Sequence, residues 1–324
     1  MTLPLVSILI PVFNREQIIA QTLDSALSQT YIDFEIVVVD NFSNDGTWGI
    51  LQEYAEKHDR VRVFRNAENI GPVRNWLACV SKARGIFSKI LWSDDLIHAD
   101  FLWKVMPYMA DSDVGFVYSA TKIFTGNNKN SGNTVFSSLR SGCYASALFQ
   151  EGALLNGDFP VSPGCAVFRT ADLQKNLLLH VPNSVDSDFS MHAIGNDLLI
   201  FLLTAKNYKK FAVVAEPLSY FRSHTGSITI SSASGKIPLH YDLAKGFFLE
   251  QSGADEKLLM KVSAMFRFHM LRYDARKFGI VKLADFFPSQ REVHVSLSLV
   301  IKIAFRMYIQ KLRGLFLKKL SRAS

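Results

Sequence analysis

The stretch VSILIPVFNRE, Val6 to Glu16, decides how the rest of the chain is read. Val6 to Val12 is an almost unbroken apolar run rich in β-branched residues, the pattern of a strand covered on both faces. Asn14, Arg15 and Glu16 then turn the chain polar, and Gln17 to Ser28 takes helical spacing. The same succession recurs. EIVVVD (Glu35 to Asp40) precedes a helix-like Thr47 to Lys57, and VRVF (Val61 to Phe64) precedes Val73 to Ala83. ILW (Ile90 to Trp92) supplies a fourth strand. Strand and helix alternating in this way predict an α/β, Rossmann-like fold, a mainly parallel sheet flanked by helices with ligand groups at the C-terminal strand ends.

Outward from that core, the N-terminus has no basic residue before Arg15, so the first apolar run is expected to be a strand and not a signal peptide. No stretch reaches the ~18 apolar residues of a membrane span. The 324 residues are 48% hydrophobic, 20% charged and 12% aromatic, a folded composition. The net charge is +7, and residues 291–324 carry all of it, with eight basic residues against Glu292. A neutral body with a cationic arm disfavours a general nucleic-acid binder. Cys79, Cys143 and Cys165 show no metal or disulfide spacing and suit a reducing compartment. The polar segment from Phe124 to Arg140 reads as a mobile surface loop. A Ser/Gly-rich stretch from Ser227 to Gly235 separates an α/β body, 1–230, from a helical region, 231–324, with a basic amphipathic tail over about 291–324.

Polar groups sit where the strands end: Asn14 after the first, Asp40 after the second, Asp94 and Asp95 after the fourth. No glycine precedes Gly46, so neither a dinucleotide fingerprint nor a Walker loop follows the first strand. Phosphates would need another counter-charge, and a divalent cation on Asp94 supplies one. Each of these residues also has a plainer reading. Asp45 or Ser43 can cap the helix after NFSNDGT, Asp40 can hold a turn, and Asp94 and Asp95 can cap the next helix.

Taken in order, ILIPVFNRE, VVVDNFSNDGT, NAENIGPVRNW and KILWSDDL resemble the family 2 inverting glycosyltransferases of GT-A fold, a likeness reaching to about residue 230. The resemblance implies a nucleotide-sugar donor, with Pro11, Phe13, Asn14 and Asp40 around base and ribose, and Asn75 and Asp95 nearby. It implies Asp94 as the carboxylate for Mn2+ or Mg2+. The first Asp of that acidic element is replaced by Trp92. Gly71 makes a tight turn, and Arg74 reaches a phosphate or pairs with a surface carboxylate. GNDLLIF, from Gly195, resembles the family's acidic motif, which makes Asp197 the base, with Asp186 and Asp188 in reserve. The plainer reading of Asp197 is a cap on its helix. EPLSYFRSHTGSIT resembles the closing signature and gives His224 as a further metal contact or a diphosphate donor, with Arg222 assisting the diphosphate or packing locally. Ser162 to Cys165 is expected on the acceptor side, and Phe247, Phe248, Phe266 and Phe268 in a helical core.

The reading that follows is a metal-dependent inverting transferase. It moves sugar from a UDP- or dTDP-sugar to a glycan hydroxyl, on a lipid-linked acceptor of O-antigen, capsule or another surface polysaccharide. It would act in the cytoplasm, peripherally on the inner membrane face. Ile301, Phe305, Tyr308, Leu312, Leu315 and Phe316 form a helical stripe flanked by Lys302, Arg306, Lys311 and Lys318, suited to an anionic membrane surface or to packing on the chain's own domain. A nucleic-acid partner is not expected. The alternative is a non-catalytic nucleotide- or glycan-binding relative; a nucleotidyltransferase would need a glycine-rich loop after the first strand.

Overall fold

Six apolar residues and Ser7 form β1 (Val6–Val12), and all seven are buried. In the computed structural model, which describes residues 5–126, 128–129, 131–224, 233–305 and 308–309, β1 lies between two parallel neighbours, β2 (Phe34–Asp40) and β4 (Phe87–Ile90). β3 (Val61–Arg65) adds to the far side of β2, again parallel. The first strand bends back to a helix, α1 (Ile19–Leu27), whose Ile19 and Leu23 pack with Val6, Ile8, Ile10 and Val12. α2 (Thr47–Lys57) and α3 (Pro72–Lys82) follow β2 and β3. Gly71 at φ +83° and Pro72 start α3, a left-handed entry followed by a residue pre-set for the helix.

The ten-stranded sheet has the order β3-β2-β1-β4-β9-β6-β10-β5. Its remaining strands are β5 (Leu96–Ile97), β6 (Val114–Thr125), β7 (Asn133–Val135), β8 (Gly142–Ala145), β9 (Ala166–Arg169) and β10 (Lys210–Ser223). Parallel pairing holds from β3 to β4 and recurs between β6 and β10, whereas β5, β7, β8 and β9 join antiparallel. The chain runs from β1 outward to β3, then crosses back to place β4 on the other side of β1. That reversal opens a crevice at the C-terminal ends of β1 and β4, the position where open α/β sheets bind ligands.

The later helices of the sheet unit are α4 (Phe101–Val105), α5 (Ser146–Leu154), α6 (Thr170–Asn176), α7 (Phe189–His192) and α8 (Asn196–Asn207). Two expectations from the sequence change here. The fourth strand ends at Ile90 and not at Trp92, and Leu91 makes one last ladder bond to Leu9 before the chain turns. The segment expected as a loop from Phe124 to Arg140 contains β7, which pairs back on β6 through Ile123↔Asn133 and Thr121↔Val135.

The chain divides into two compact units, Met1–Val181 with Asp188–Ser231, and Pro182–Ser187 with Ser232–Ser324. The second contains α9 (Lys236–Ser252) and α10 (Glu256–Arg272). Its core includes Phe248 and Phe266, with Phe266 packed on Phe286 at 4.7 Å; Phe247 is also buried and Phe268 is half-buried. Among the described residues no helix is long and apolar enough to cross a membrane.

Candidate active site

The loops after β1 and β2 are locked to each other by their polar side chains. Asn14, at φ +51°, accepts through Oδ1 from the Asn44 N–H at 3.0 Å, and its own N–H donates to Ser43 Oγ at 2.9 Å. Ser43 in turn donates its backbone N–H to Asp40, and its hydroxyl donates to the same carboxylate. Asp40 is fully buried and pairs with Arg65 at 3.0 Å, and Arg65 also donates to the Ser43 carbonyl. Asp45 accepts from the N–H groups of Thr47 and Glu16, so it ties the start of α2 to the β1 loop. These partners give Asp40 a turn-holding place, whereas Asp45 bridges two loops and the N-cap of α2 is Gly46, not the expected Asp45 or Ser43.

Asn75 is also turned inward. Its amide donates to Val39 O at 3.1 Å and its oxygen accepts from Asn66, while Asn66 also reaches Asn41. Pro11 is buried inside β1, opposite Val39. Phe13, the next residue but one, is 38% exposed at the strand end. Of the donor-side residues suggested by resemblance, Phe13 and Asn14 therefore stand at the open edge, whereas Pro11, Asp40 and Asn75 support it from within.

The corner beside β4 is where distant parts of the chain converge. His224 Nε2 lies 2.8 Å from Asp94 Oδ2, although the two are 130 residues apart. Arg15 Nη2 lies 3.8 Å from the same oxygen. Its Nη1 donates to Asn14 O and Phe13 O, and its buried Nε has no hydrogen-bond partner among the described residues. Arg222 fastens the corner. It donates from its backbone N–H to Asp95 and from its side chain to Asp94 O, Gly126 O and Gln21, with its guanidinium 4.8 Å over Phe124. That network makes Arg222 a local clamp. Asp95 is buried, and its burial beside the Asp94 charge pushes its carboxyl well above the ordinary range despite the Arg222 N–H and Lys89. Lys89 is fully buried, which lowers its ammonium to about 8; it donates to Ile90 O and to Gly164 O.

The Asp94 and His224 pair is of a donor type that suits a divalent ion. A carboxylate oxygen and an imidazole nitrogen lie 2.8 Å apart, and Mg2+-like ions are commonly held by one or two protein ligands with substrate phosphates completing the shell. Among the described residues no cluster of three ligand-type side chains occurs.

Across the crevice, the 3-10 turn Pro163–Cys165 carries Gly164 against Trp92, with a Cβ at Gly164 meeting the indole at 2.9 Å. Trp92 donates Nε1–H to Ser162 Oγ at 2.8 Å and packs on Trp76 at 4.6 Å. The place of the first acidic residue is thus filled by an anchored aromatic ring. α8 packs against this turn. Asp197, half-buried on its first turn, accepts through Oδ1 from Gly195 N–H at 3.0 Å and Leu198 N–H at 2.8 Å. Asp188 caps α7 by accepting from the Ser190 N–H and hydroxyl, and the hydroxyl foremost holds its carboxyl below the usual range. Arg74 donates to Ser190 Oγ at 2.9 Å, which draws α3 to α7 without a direct carboxylate pair. Asp186 is exposed at φ +53° in the second unit.

The structure therefore brings together Asp94, Asp95 and His224, and adds Arg15, which sequence reasoning passed over. Its signal was available, since Arg15 is the first cation after the first strand.

Comparison with known proteins agrees with this architecture. The model of Glycosyl transferase family 2 matches residues 7–177. The chain is 33% identical over 116 residues to TuaG of Bacillus subtilis, named as a teichuronic acid biosynthesis glycosyltransferase, covering 36% of this chain and 46% of that protein. It is 30% identical over 124 residues to the Escherichia coli UDP-Glc:alpha-D-GlcNAc-diphosphoundecaprenol beta-1,3-glucosyltransferase WfgD, covering 38% and 48%. The matched region thus spans about half the length of these relatives. The structure of Staphylococcus aureus TarS residues 1–349 with UDP-GlcNAc superposes with a TM-score of 0.63 at 19% identity, covering 85% of this chain and 74% of that one, a likeness of fold. With a family model spanning more than half of the chain, on a sheet of GT-A type, this protein belongs to glycosyl transferase family 2.

Proposed function

We propose that the chain is an inverting glycosyltransferase that moves a sugar from a nucleoside diphosphate, UDP or dTDP foremost, to a hydroxyl of a glycan acceptor. The observation that carries this reading is the meeting of Asp94, His224 and Arg15 at the crevice between β1 and β4. Asp94 and His224 would hold Mn2+ or Mg2+, whose chemistry is to neutralise charge on a departing diphosphate. Arg15 adds a fixed positive charge at the same place. Phe13 and Asn14 line the edge for base and ribose, with Asp40, Asn75 and Pro11 as their buried support. Asp95, held by Arg222, orients the loop that carries Asp94. On the opposite side the acceptor oxygen bonds to the anomeric carbon as the bond from that carbon to the diphosphate oxygen breaks. The electron pair leaves with the diphosphate, and Asp197 accepts the hydroxyl proton.

Thermal denaturation tests the donor class. With Mn2+ present, UDP or dTDP at about a hundred times Kd should raise folded-state stability by about 2.7 kcal/mol, read as a rise in Tm. No shift with any nucleoside diphosphate, with or without Mn2+, would count against the reading.

The names of TuaG and WfgD support a place in surface polysaccharide assembly, and WfgD's name supports an acceptor on a lipid diphosphate. The C-terminal region fits that acceptor. Residues 297–305 are helical, and Leu297, Ile301, Phe305 and Tyr308 are each more than half exposed along one stripe. Leu312, Leu315 and Phe316, together with Arg306, Lys311 and Lys318, lie outside the described residues. An apolar stripe within a segment carrying eight basic residues suits the anionic inner face of a membrane, where each cation contributes ~1 kcal/mol before screening. The full chain should float with anionic liposomes and a chain ending at Gln290 should not. Equal flotation of both chains would remove the membrane role.

A further inference from the structure

Phe42 is a bulky aromatic residue held where bulky residues rarely sit. Its φ is +65°, in the left-handed region, and its ring is 48% exposed. Both features cost free energy: a left-handed conformation is a true outlier for a large side chain, and an exposed phenyl ring forgoes burial. Strain of this kind persists where the surroundings over-determine it, and it gathers at binding sites. The surroundings here do so. On one side of Phe42, Asn41 is buried and bonds Asn69. On the other, Ser43 is held by Asp40 and by the Asn14 N–H.

The position is informative as well. Val12 and Asp40 are register partners on adjacent parallel strands, and Phe13 and Phe42 follow them by one and two residues, so both belong to the loops that leave the C-terminal ends of β1 and β2. Strands in a sheet lie about 4.8 Å apart. Both rings are exposed there, and the Asn14 to Asn44 and Asn14 to Ser43 bonds fix the two loops together. The Phe42 ring is also backed. The Arg65 guanidinium lies 5.1 Å from its centroid and 5.4 Å from that of Trp48, and Arg65 is anchored by Asp40 and the Ser43 carbonyl. A ring supported by a cation and still half exposed is a fixed stacking surface that needs no ordering when a ligand arrives.

We infer that Phe42 is a stacking residue for the nucleobase of the donor, acting with Phe13 at the open edge of β1 and β2. The inference rests on the nucleotide-sugar reading above and adds a contact to it. Stacking through a π-face tolerates different bases, so Phe42 would add affinity for UDP, dTDP, GDP and ADP alike and leave discrimination among them to polar groups.

The test uses the full chain with Mn2+ and measures calorimetric affinity for UDP, dTDP, GDP and ADP. Inorganic pyrophosphate serves as the probe that lacks a base. Phe42→Gly should weaken the best diphosphate by about tenfold or more and leave pyrophosphate affinity unchanged. Its Tm should hold or rise, since glycine adopts φ +65° without strain. Phe42→Trp should restore the lost affinity. Diphosphate affinity in Phe42→Gly within twofold of the parent overturns the inference alone. So does an equal loss for pyrophosphate, or a loss that Phe42→Trp fails to restore, because either points to a disturbed loop. A parent chain that binds none of the four diphosphates overturns the donor reading itself, and this inference with it.

Discussion

Asp94→Ala is expected to remove Mn2+-dependent binding of nucleoside diphosphate and to lower sugar transfer by about 10²–10³ or more, the range seen when one preorganised electrostatic contact to developing charge is lost. The argument is one of convergence. Asp94 Oδ2 is the single atom approached by both His224, at 2.8 Å, and Arg15, at 3.8 Å. Its removal deletes the hard oxygen ligand that Mg2+ and Mn2+ prefer and leaves one imidazole as the protein's donor at that corner, with the Arg15 cation beside it opposing metal charge. The fold should survive, because the side chain is at the sheet edge and its pairings are partly solvated, worth about 1 kcal/mol or less. Asp95 and Arg222 keep the loop in place through the Arg222 N–H bond of 2.8 Å. Calorimetry with UDP, repeated with Mn2+ and with EDTA, separates the outcomes. A variant whose UDP affinity still rises with Mn2+ as in the parent would take Asp94 out of the metal site.

The first two strands were legible because burial on both faces leaves a mostly apolar run, β1 begins and ends as its sequence suggests, and the half-buried β3 showed itself by its alternating Val61, Val63 and Arg62. β4 was less so. Lys89 breaks the run although it is fully buried, satisfied by the carbonyls of Ile90 and Gly164, while the apolar Trp92 extends the pattern beyond the last ladder bond. β10 escaped notice since Glu216 and Pro217 interrupt its alternation, and the register with β6 shifts around Val214 and Pro217. β7 gives no local signal, since its pairing with β6 is set by the hairpin and not by its own residues. Site residues followed the same division. Motif order pointed to Asp94 and His224, whereas nothing local reveals that Asp40 would be consumed by Arg65, or that Phe42 would take a left-handed conformation.

Gly195, and not Asp197, is the N-cap of α8, so Asp197→Asn separates a proton acceptor from a residue that only ties down the first turn. Asp197 Oδ1 accepts from the N–H groups of Gly195 and Leu198, and an asparagine oxygen can take both bonds. Asparagine keeps the acceptor oxygen and loses only a first-turn charge worth a few tenths of a kcal/mol to about 1 kcal/mol, so a residue that only ties down the start of α8 would leave turnover near the parental value and Tm close to it. A residue that accepts the acceptor's hydroxyl proton cannot be replaced by an amide at any pH, and turnover should fall by about 10²–10⁴. UDP affinity with Mn2+ should stay unchanged, because the substitution removes nothing at the Asp94 corner. Asp188→Asn is the matched control: its carboxylate is occupied by the Ser190 N–H at 2.9 Å and by the Ser190 hydroxyl, a capping role that asparagine preserves. Parental turnover in Asp197→Asn with loss in Asp188→Asn would transfer the base to α7. Loss in Asp197→Asn alone, with Tm and donor affinity retained, is the pattern that only proton transfer at α8 produces, since a damaged helix start would lower Tm together with turnover.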